Sequence, residues 1–151
     1  MALKYSVSLR NAKLDVIETH VNTENSPTGG NGAVIRIKDG TVPATAETND
    51  STGHTTGATL TLPADWMAAA SAGAKAKSGT WEDSSADATA TVTYFRVYDS
   101  DGNGPDGTVN TSFIQGTVDD TGSPDMTVDN KNFSSGQTFT ITTFTITDGN
   151  P

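Results

Sequence analysis

The segment Gln137-Thr-Phe-Thr-Ile-Thr-Thr-Phe-Thr-Ile-Thr147 alternates apolar and threonine positions and then slips by one. Phe139 and Ile141 share one phase, and Phe144 and Ile146 resume it after an extra threonine. Period two marks a half-buried β-strand, because successive side chains leave opposite faces. The slip at Thr142/Thr143 predicts a β-bulge, or a bend that carries the strand to a second sheet. Shorter runs of the same kind precede it. Residues 33–37, with Val34, Ile35 and Ile37, read as a strand, and residues 59–62 as another, stopped by Pro63. Residues 89–98 carry Val92, Tyr94, Arg96 and Tyr98 on one face and Phe95 and Val97 on the other. Aromatic bulk on both faces predicts a central strand. Residues 113–118 and 126–128 supply two more, and Trp81 opens a further element.

The first 22 residues follow a different period. Leu9, Ala12, Lys13, Val16, Ile17, His20 and Val21 recur at helical spacing, with Leu9, Val16, Ile17 and Val21 as the apolar stripe. This predicts one amphipathic helix of about 12 to 15 residues, capped by Ser6 or Ser8 and ending at Asn22 or Thr23. Its stripe covers either the sheet of its own chain or a neighbour. Residues 25–32, 40–57 and 71–80 read as connections, and the alanines after Asp65 favour a helical turn over 65–72. Short strands punctuated by Gly, Asp and Pro indicate a mostly β fold, an antiparallel β-sandwich spanning residues 23–151 behind the N-terminal helical segment 1–22.

Composition sharpens this picture. A chain of 151 residues fits one domain, yet only 33% of its residues are apolar and threonine fills roughly one position in six. The core is thin for the length, so burial against copies or a partner would add stability. There is no cysteine, which excludes a disulfide framework and a thiolate site. Residues 3–9 are too polar for a signal-peptide core, and no run is long enough to span a membrane. A net charge of −9 argues against a nucleic-acid surface. The expectation is an acidic protein made in a reducing cytoplasm, with neither nucleic acid nor membrane as partner.

Few groupings carry chemistry. Asp99-Ser-Asp-Gly-Asn-Gly104 matches the opening of a calcium loop, with Asp99, Asp101 and Asn103 as alternate oxygen ligands and Gly104 at the turn. Asn110 stands where the bidentate glutamate belongs, a strand precedes the loop, and Pro105 breaks the pattern; a hairpin tip built from turn formers is the plainer reading. No other cofactor is expected. His20 lies beside the helical stripe and His54 in a polar loop, and no Gly-x-Ser-x-Gly elbow supports a serine nucleophile. The adjacent pairs Glu82-Asp83 and Asp119-Asp120 would point to opposite faces of a strand, unlike glycosidase carboxylates. The reading is of a non-enzyme. Gly29-Gly-Asn-Gly32 lacks the strand-to-helix setting of a phosphate cradle, and the sequons at Asn110 and Asn132 matter only in a secreted chain. Trp66 and Trp81 serve either as stacking platforms of a carbohydrate-binding module or as anchors of loops to the core.

Residues 62–89, from Leu62-Pro-Ala-Asp-Trp-Met-Ala-Ala-Ala through Gly79-Thr-Trp-Glu-Asp83, resemble a family of small virion proteins encoded by tailed bacteriophages. The opening Tyr5-Ser-Val-Ser-Leu-Arg-Asn-Ala-Lys-Leu-Asp-Val-Ile-Glu18 and the ending, Met126-Thr-Val-Asp-Asn130 with residues 139–147, extend the resemblance over most of the chain. The loops at 23–32, 47–56 and 99–110 depart from it and look longer here. The resemblance implies a virion structural component, and a compact acidic β domain suits a capsid decoration (cement) protein on the outer head surface. Its expected partners are the major capsid protein and copies of itself, with Leu9, Val16, Ile17, Trp66, Met67 and Trp81 as interface candidates. A tail or neck component and a carbohydrate-binding adhesion module are the alternatives.

Overall fold

A computed structural model describes residues 4–24 and 32–149. The loop expected over 25–32, with the glycines at 29 and 30, lies outside the described residues except for Gly32. The helix α1 spans Val7–Thr23, longer than its pattern suggested. Ser6 is the cap: its hydroxyl accepts the Leu9 N–H at 3.2 Å, satisfying one of the donors a helix start leaves open.

Nine strands follow, β1 (Val34–Asp39), β2 (Thr56–Thr61), β3 (Ala74–Ala76), β4 (Trp81–Asp83), β5 (Ala90–Tyr98), β6 (Ile114–Asp119), β7 (Met126–Val128), β8 (Asn132–Phe133) and β9 (Phe139–Thr147). They form one sheet in the order β2-β1-β5-β6-β7-β9-β3, with β4 added on β9 and β8 on β5. The fold is thus mostly β with one helix, as the patterning predicts. Two finer expectations need correction. β6 and β7 run parallel, through Val118↔Met126 and Asp119↔Thr127, so the sheet is mixed. The cause is local: Thr117 N–H and Oγ1 both donate to Asp125 Oδ2 at 2.8 and 2.9 Å, folding residues 120–125 back along β6. The layers are also one curled sheet instead of two stacked ones. Phe95 on β5 meets Phe144 on β9 with ring centroids 5.4 Å apart. At the far end, the β2 residue Thr59 donates its N–H to Asp83 Oδ2 of β4 at 3.0 Å.

The slip in β9 is a bulge. Thr127 pairs with Thr143 and Val128 with Ile141, so Thr142 has no opposite residue on β7. Phe139, Ile141 and Phe144 therefore all stay buried while Thr142 and Thr143 face out. β5 is central, flanked by β1 and β6. Its face carrying Phe95 and Val97 joins the apolar core with Ile35, Ile37, Leu60 and the two tryptophans. Its other face is a buried polar layer. There Arg96 lies opposite Arg36 on β1, and Tyr94 opposite Lys38. The loop 40–55 and residues 110–115 close over it, because Arg96 donates to the carbonyls of Thr48 at 2.7 Å and Asn110 at 2.8 Å and to Gln115 Oε1 at 3.0 Å.

Residues 65–72 do not form the helical turn their alanines favour. The chain runs into a hairpin with β3: Ala68 N–H donates to the Ala76 carbonyl at 2.8 Å, and Ser71 and Ala74 exchange bonds. Its tip, Ala72 (φ 54) and Gly73 (φ 79), has the left-handed pair of a type I′ two-residue hairpin turn. Pairing with β9 and fastening by α1 outweigh the few tenths of a kcal/mol per residue that alanine propensity offers.

Candidate interaction surface

α1 is held to the body by polar side chains. Asn11 Oδ1 accepts the Gly73 N–H at 2.9 Å, Asp15 Oδ1 the Ala70 N–H at 3.0 Å, and Glu18 Oε1 the Met67 N–H at 2.8 Å. Asn22 Nδ2 donates to the Ala64 carbonyl at 2.9 Å. Steps of four, three and four along the helix place these residues on one face, and each meets every third residue of the segment running the other way. Arg10 adds a bond to the Ala72 carbonyl at 2.8 Å. Trp66 joins this clasp to the core: its indole N–H donates to Asn22 Oδ1 at 3.0 Å, while its ring lies 5.8 Å from that of Trp81.

Lys75 is the clasp's charged centre. Only 3% of its side chain is exposed, and its Nζ reaches Asp15 Oδ1 (2.8 Å), Glu18 Oε2 (3.0 Å) and the Ala68 carbonyl (2.9 Å). The Lys75 hydrogen bond, with that of the Ala70 N–H, holds the Asp15 carboxyl below its ordinary 3.8. Burial alone would lower the Lys75 ammonium, but hydrogen bonds to Asp15 and Glu18 outweigh it and leave the group above 10.5. A depressed carboxylate contributes stability above its unfolded value, lost as pH falls through the folded one; a raised ammonium contributes below its unfolded value, lost as pH rises. Docking of α1 is therefore expected to weaken below pH 3.8 and above pH 10.5. Melting followed against pH by tryptophan fluorescence tests this, and an acid limb unchanged in Asp15→Asn would contradict it.

The tip of the hairpin gives a second check. Gly73 has φ 79, and a Cβ there would stand 1.8 Å from Arg10 Nη2. Gly73→Ala is expected to cost about 1–2 kcal/mol from backbone strain, plus the Arg10 contact. A urea midpoint equal to wild type would show that the tip relaxes freely.

Because the clasp occupies one face of α1, the opposite face is turned outward. Leu9 is 47% and Val16 63% exposed, with Ala12 exposed between them. Tyr5, Val7, Leu9 and Val16 are four of the five large hydrophobics that stand exposed among the described residues. Beside this ridge lies an apolar groove of about 270 Å³ between α1 and the sheet, lined by Ile17, His20, Val21, Phe113, Ile114 and Ile146. Lys13, paired with Asp148 at 2.7 Å, borders the groove's continuation along Leu14, Ile17 and Ile146.

The interface candidates thus separate. Leu9 and Val16 lie on the outward ridge and Ile17 on the groove. Trp66, Met67 and Trp81 are core: both indoles are 0% exposed. The reading of Trp66 or Trp81 as glycan platforms is overturned, since a stacking surface has to be reachable. At the candidate calcium loop the structure shows a turn. Asp99 is buried at the end of β5, and its Oδ1 accepts the N–H groups of Asp101 and Asn103 at 2.9 and 2.8 Å, while Asp101 faces solvent. The aspartate braces the turn through Oδ1, the arrangement of a hairpin tip. Among the described residues no three or more acidic or histidine side chains gather to hold a metal, and no helix is long and apolar enough to cross a membrane. His20 packs edge-on to Phe113, His54 edge-on to Tyr94, and Asp119 is bound by Lys131 at 3.0 Å.

The clasp escaped the sequence reading because its residues are polar. The signal was present as the spacing of Asn11, Asp15, Glu18 and Asn22, which is that of an apolar stripe with hydrogen-bonding groups in its place. Comparison with known proteins finds no family model, no curated protein and no solved structure that matches this chain.

Proposed function

We propose that this chain is a structural protein of a tailed-phage particle, a decoration protein seated on the outer head shell and bound to the major capsid protein. The observation that carries the reading is the outward face of α1. It is a helix fixed by its own polar clasp, with Tyr5, Val7, Leu9 and Val16 exposed on or just before it, and grouped exposed apolar side chains are what an interaction site presents. The resemblance of residues 5–18, 62–89, 126–130 and 139–147 to small virion proteins supplies the setting. The net charge of −9 keeps such a protein dispersed until it meets the shell. Many weak contacts repeated over a lattice give avidity without strong single sites. Incubation of the purified chain with heads that lack it, followed by sedimentation, tests the proposal. Saturable co-sedimentation with intact heads is the expected result, and a chain that stays in the supernatant at all concentrations would overturn it.

A further inference from the structure

The polar layer on β5 holds more positive charge than it pairs. Arg36 on β1 and Arg96 on β5 stand opposite each other in register, and Lys38 follows Arg36 on the same face of β1. Like charges directly opposite on neighbouring strands destabilise a sheet. Lys38 and Arg96 share the carboxylate of Asp50, at 2.5 and 3.5 Å. Arg36 reaches no carboxylate among the described residues. It stacks on Tyr98, its central carbon 4.4 Å from the ring centroid, and Nη1 donates to the Gly102 carbonyl at 3.0 Å. Neither contact neutralises it. Asp99, the next buried carboxylate, turns Oδ1 to the N–H groups of Asp101 and Asn103 and pairs with none of the three cations. Burial, and then the Asp50 charge, hold the Tyr94 and Tyr98 phenols above their ordinary 10.0, so both stay neutral. Three cations thus have one paired carboxylate between them, in a chain whose net charge is −9.

Arg36 and Lys38 open onto a pocket of about 280 Å³, lined also by Asp50, Ser51, His54 and Asn110. Arg36 is half-buried in its wall. The stack on Tyr98 holds the guanidinium plane, and a fixed planar fork is what binds an oxyanion through two oxygens. Lys38 gives Asp50 one hydrogen bond of the three an ammonium can donate. Asp50 in the same wall does not oppose an anion, because Lys38 and Arg96 already meet its charge. A doubly charged anion matches the surplus, and the volume exceeds that of one tetrahedral oxyanion, leaving room for a substituent.

We propose that this pocket binds a phosphate group, free or as a small monoester, with Arg36 as its principal ligand and Lys38 as the second cation. The site lies on the sheet's polar face and stands independently of the decoration reading.

Titration calorimetry of the purified full chain with inorganic phosphate tests it, at a pH where phosphate is doubly charged and at an ionic strength held constant with chloride. Saturable binding of one anion per chain is expected. Arg36→Gln is expected to weaken it about tenfold or more, as loss of one charge-assisted contact does. Ser51→Asp, an exposed change in the pocket wall, is expected to weaken it by repulsion. Near-ultraviolet dichroism of the buried tryptophans is expected to be unchanged in both. Glycerol phosphate in place of inorganic phosphate separates the two sources. Tighter binding assigns the remaining volume to an ester's substituent, and binding no tighter assigns the pocket to the free anion. Heat that vanishes once ionic strength is matched, or affinity that survives either substitution, would overturn the proposal.

Discussion

Asp50→Ala is expected to lower folding stability by about 3–5 kcal/mol, the usual cost of stripping one partner from a buried ion pair. The Asp50 side chain is 1% exposed and serves three neighbours through one oxygen: Lys38 Nζ at 2.5 Å, Tyr94 Oη at 3.1 Å and Arg96 Nε at 3.5 Å. Removing it leaves two buried cations without a counter-charge and frees the loop 40–55 that Asp50 ties down. Burial, and then the Asp50 charge, hold the Tyr94 phenol well above its ordinary 10.0, so it stays a neutral donor to the carboxylate. Lys38→Met is expected to be milder, since Asp50 keeps Arg96 and Tyr94. Urea unfolding followed by circular dichroism measures both. A loss under about 1 kcal/mol for Asp50→Ala, the range of exposed pairs, would mean that water reaches the layer.

Trp66→Ala carries the other large effect, about 3–5 kcal/mol for a fully buried aromatic removed from a core. The loss has two parts. A cavity opens beside Trp81, and Asn22 Oδ1 loses its indole donor, which loosens the C-terminal end of α1. Helix content and melting temperature are therefore expected to fall together. A variant that melts at the wild-type temperature would contradict the burial of the indole.

The strands were the legible part of this fold. Period-two runs located β1, β5, β6, β7 and β9, the double-faced aromatics of residues 89–98 marked the central strand, and the misplaced threonine at 142 marked the bulge. Side-chain alternation is a local property, so it survives in sequence. The parallel step from β6 to β7 depends on Asp125 reaching Thr117, a contact invisible to patterning. The hairpin at 67–77 overrode alanine propensity because partners from α1 and β9 satisfy its backbone. The helix itself was legible, but its orientation was not. The apolar stripe of Leu9, Val16, Ile17 and Val21 left open whether it covers the sheet or a neighbour; hydrogen bonding turns Asn11, Glu18 and Asn22 inward, so Val21 is buried while Leu9 and Val16 stay outside. Asp99 shows a further ambiguity of spacing, since carboxylates that brace a turn, as its Oδ1 does, share the spacing of carboxylates that bind a cation.

The number and position of copies in purified particles, by quantitative mass spectrometry with imaging, test the proposed role most directly. A decoration protein is expected at on the order of hundreds of copies over the outer head, as a lattice-wide site requires. About a dozen or fewer copies at the tail or neck, the stoichiometry of a closed ring, would contradict it.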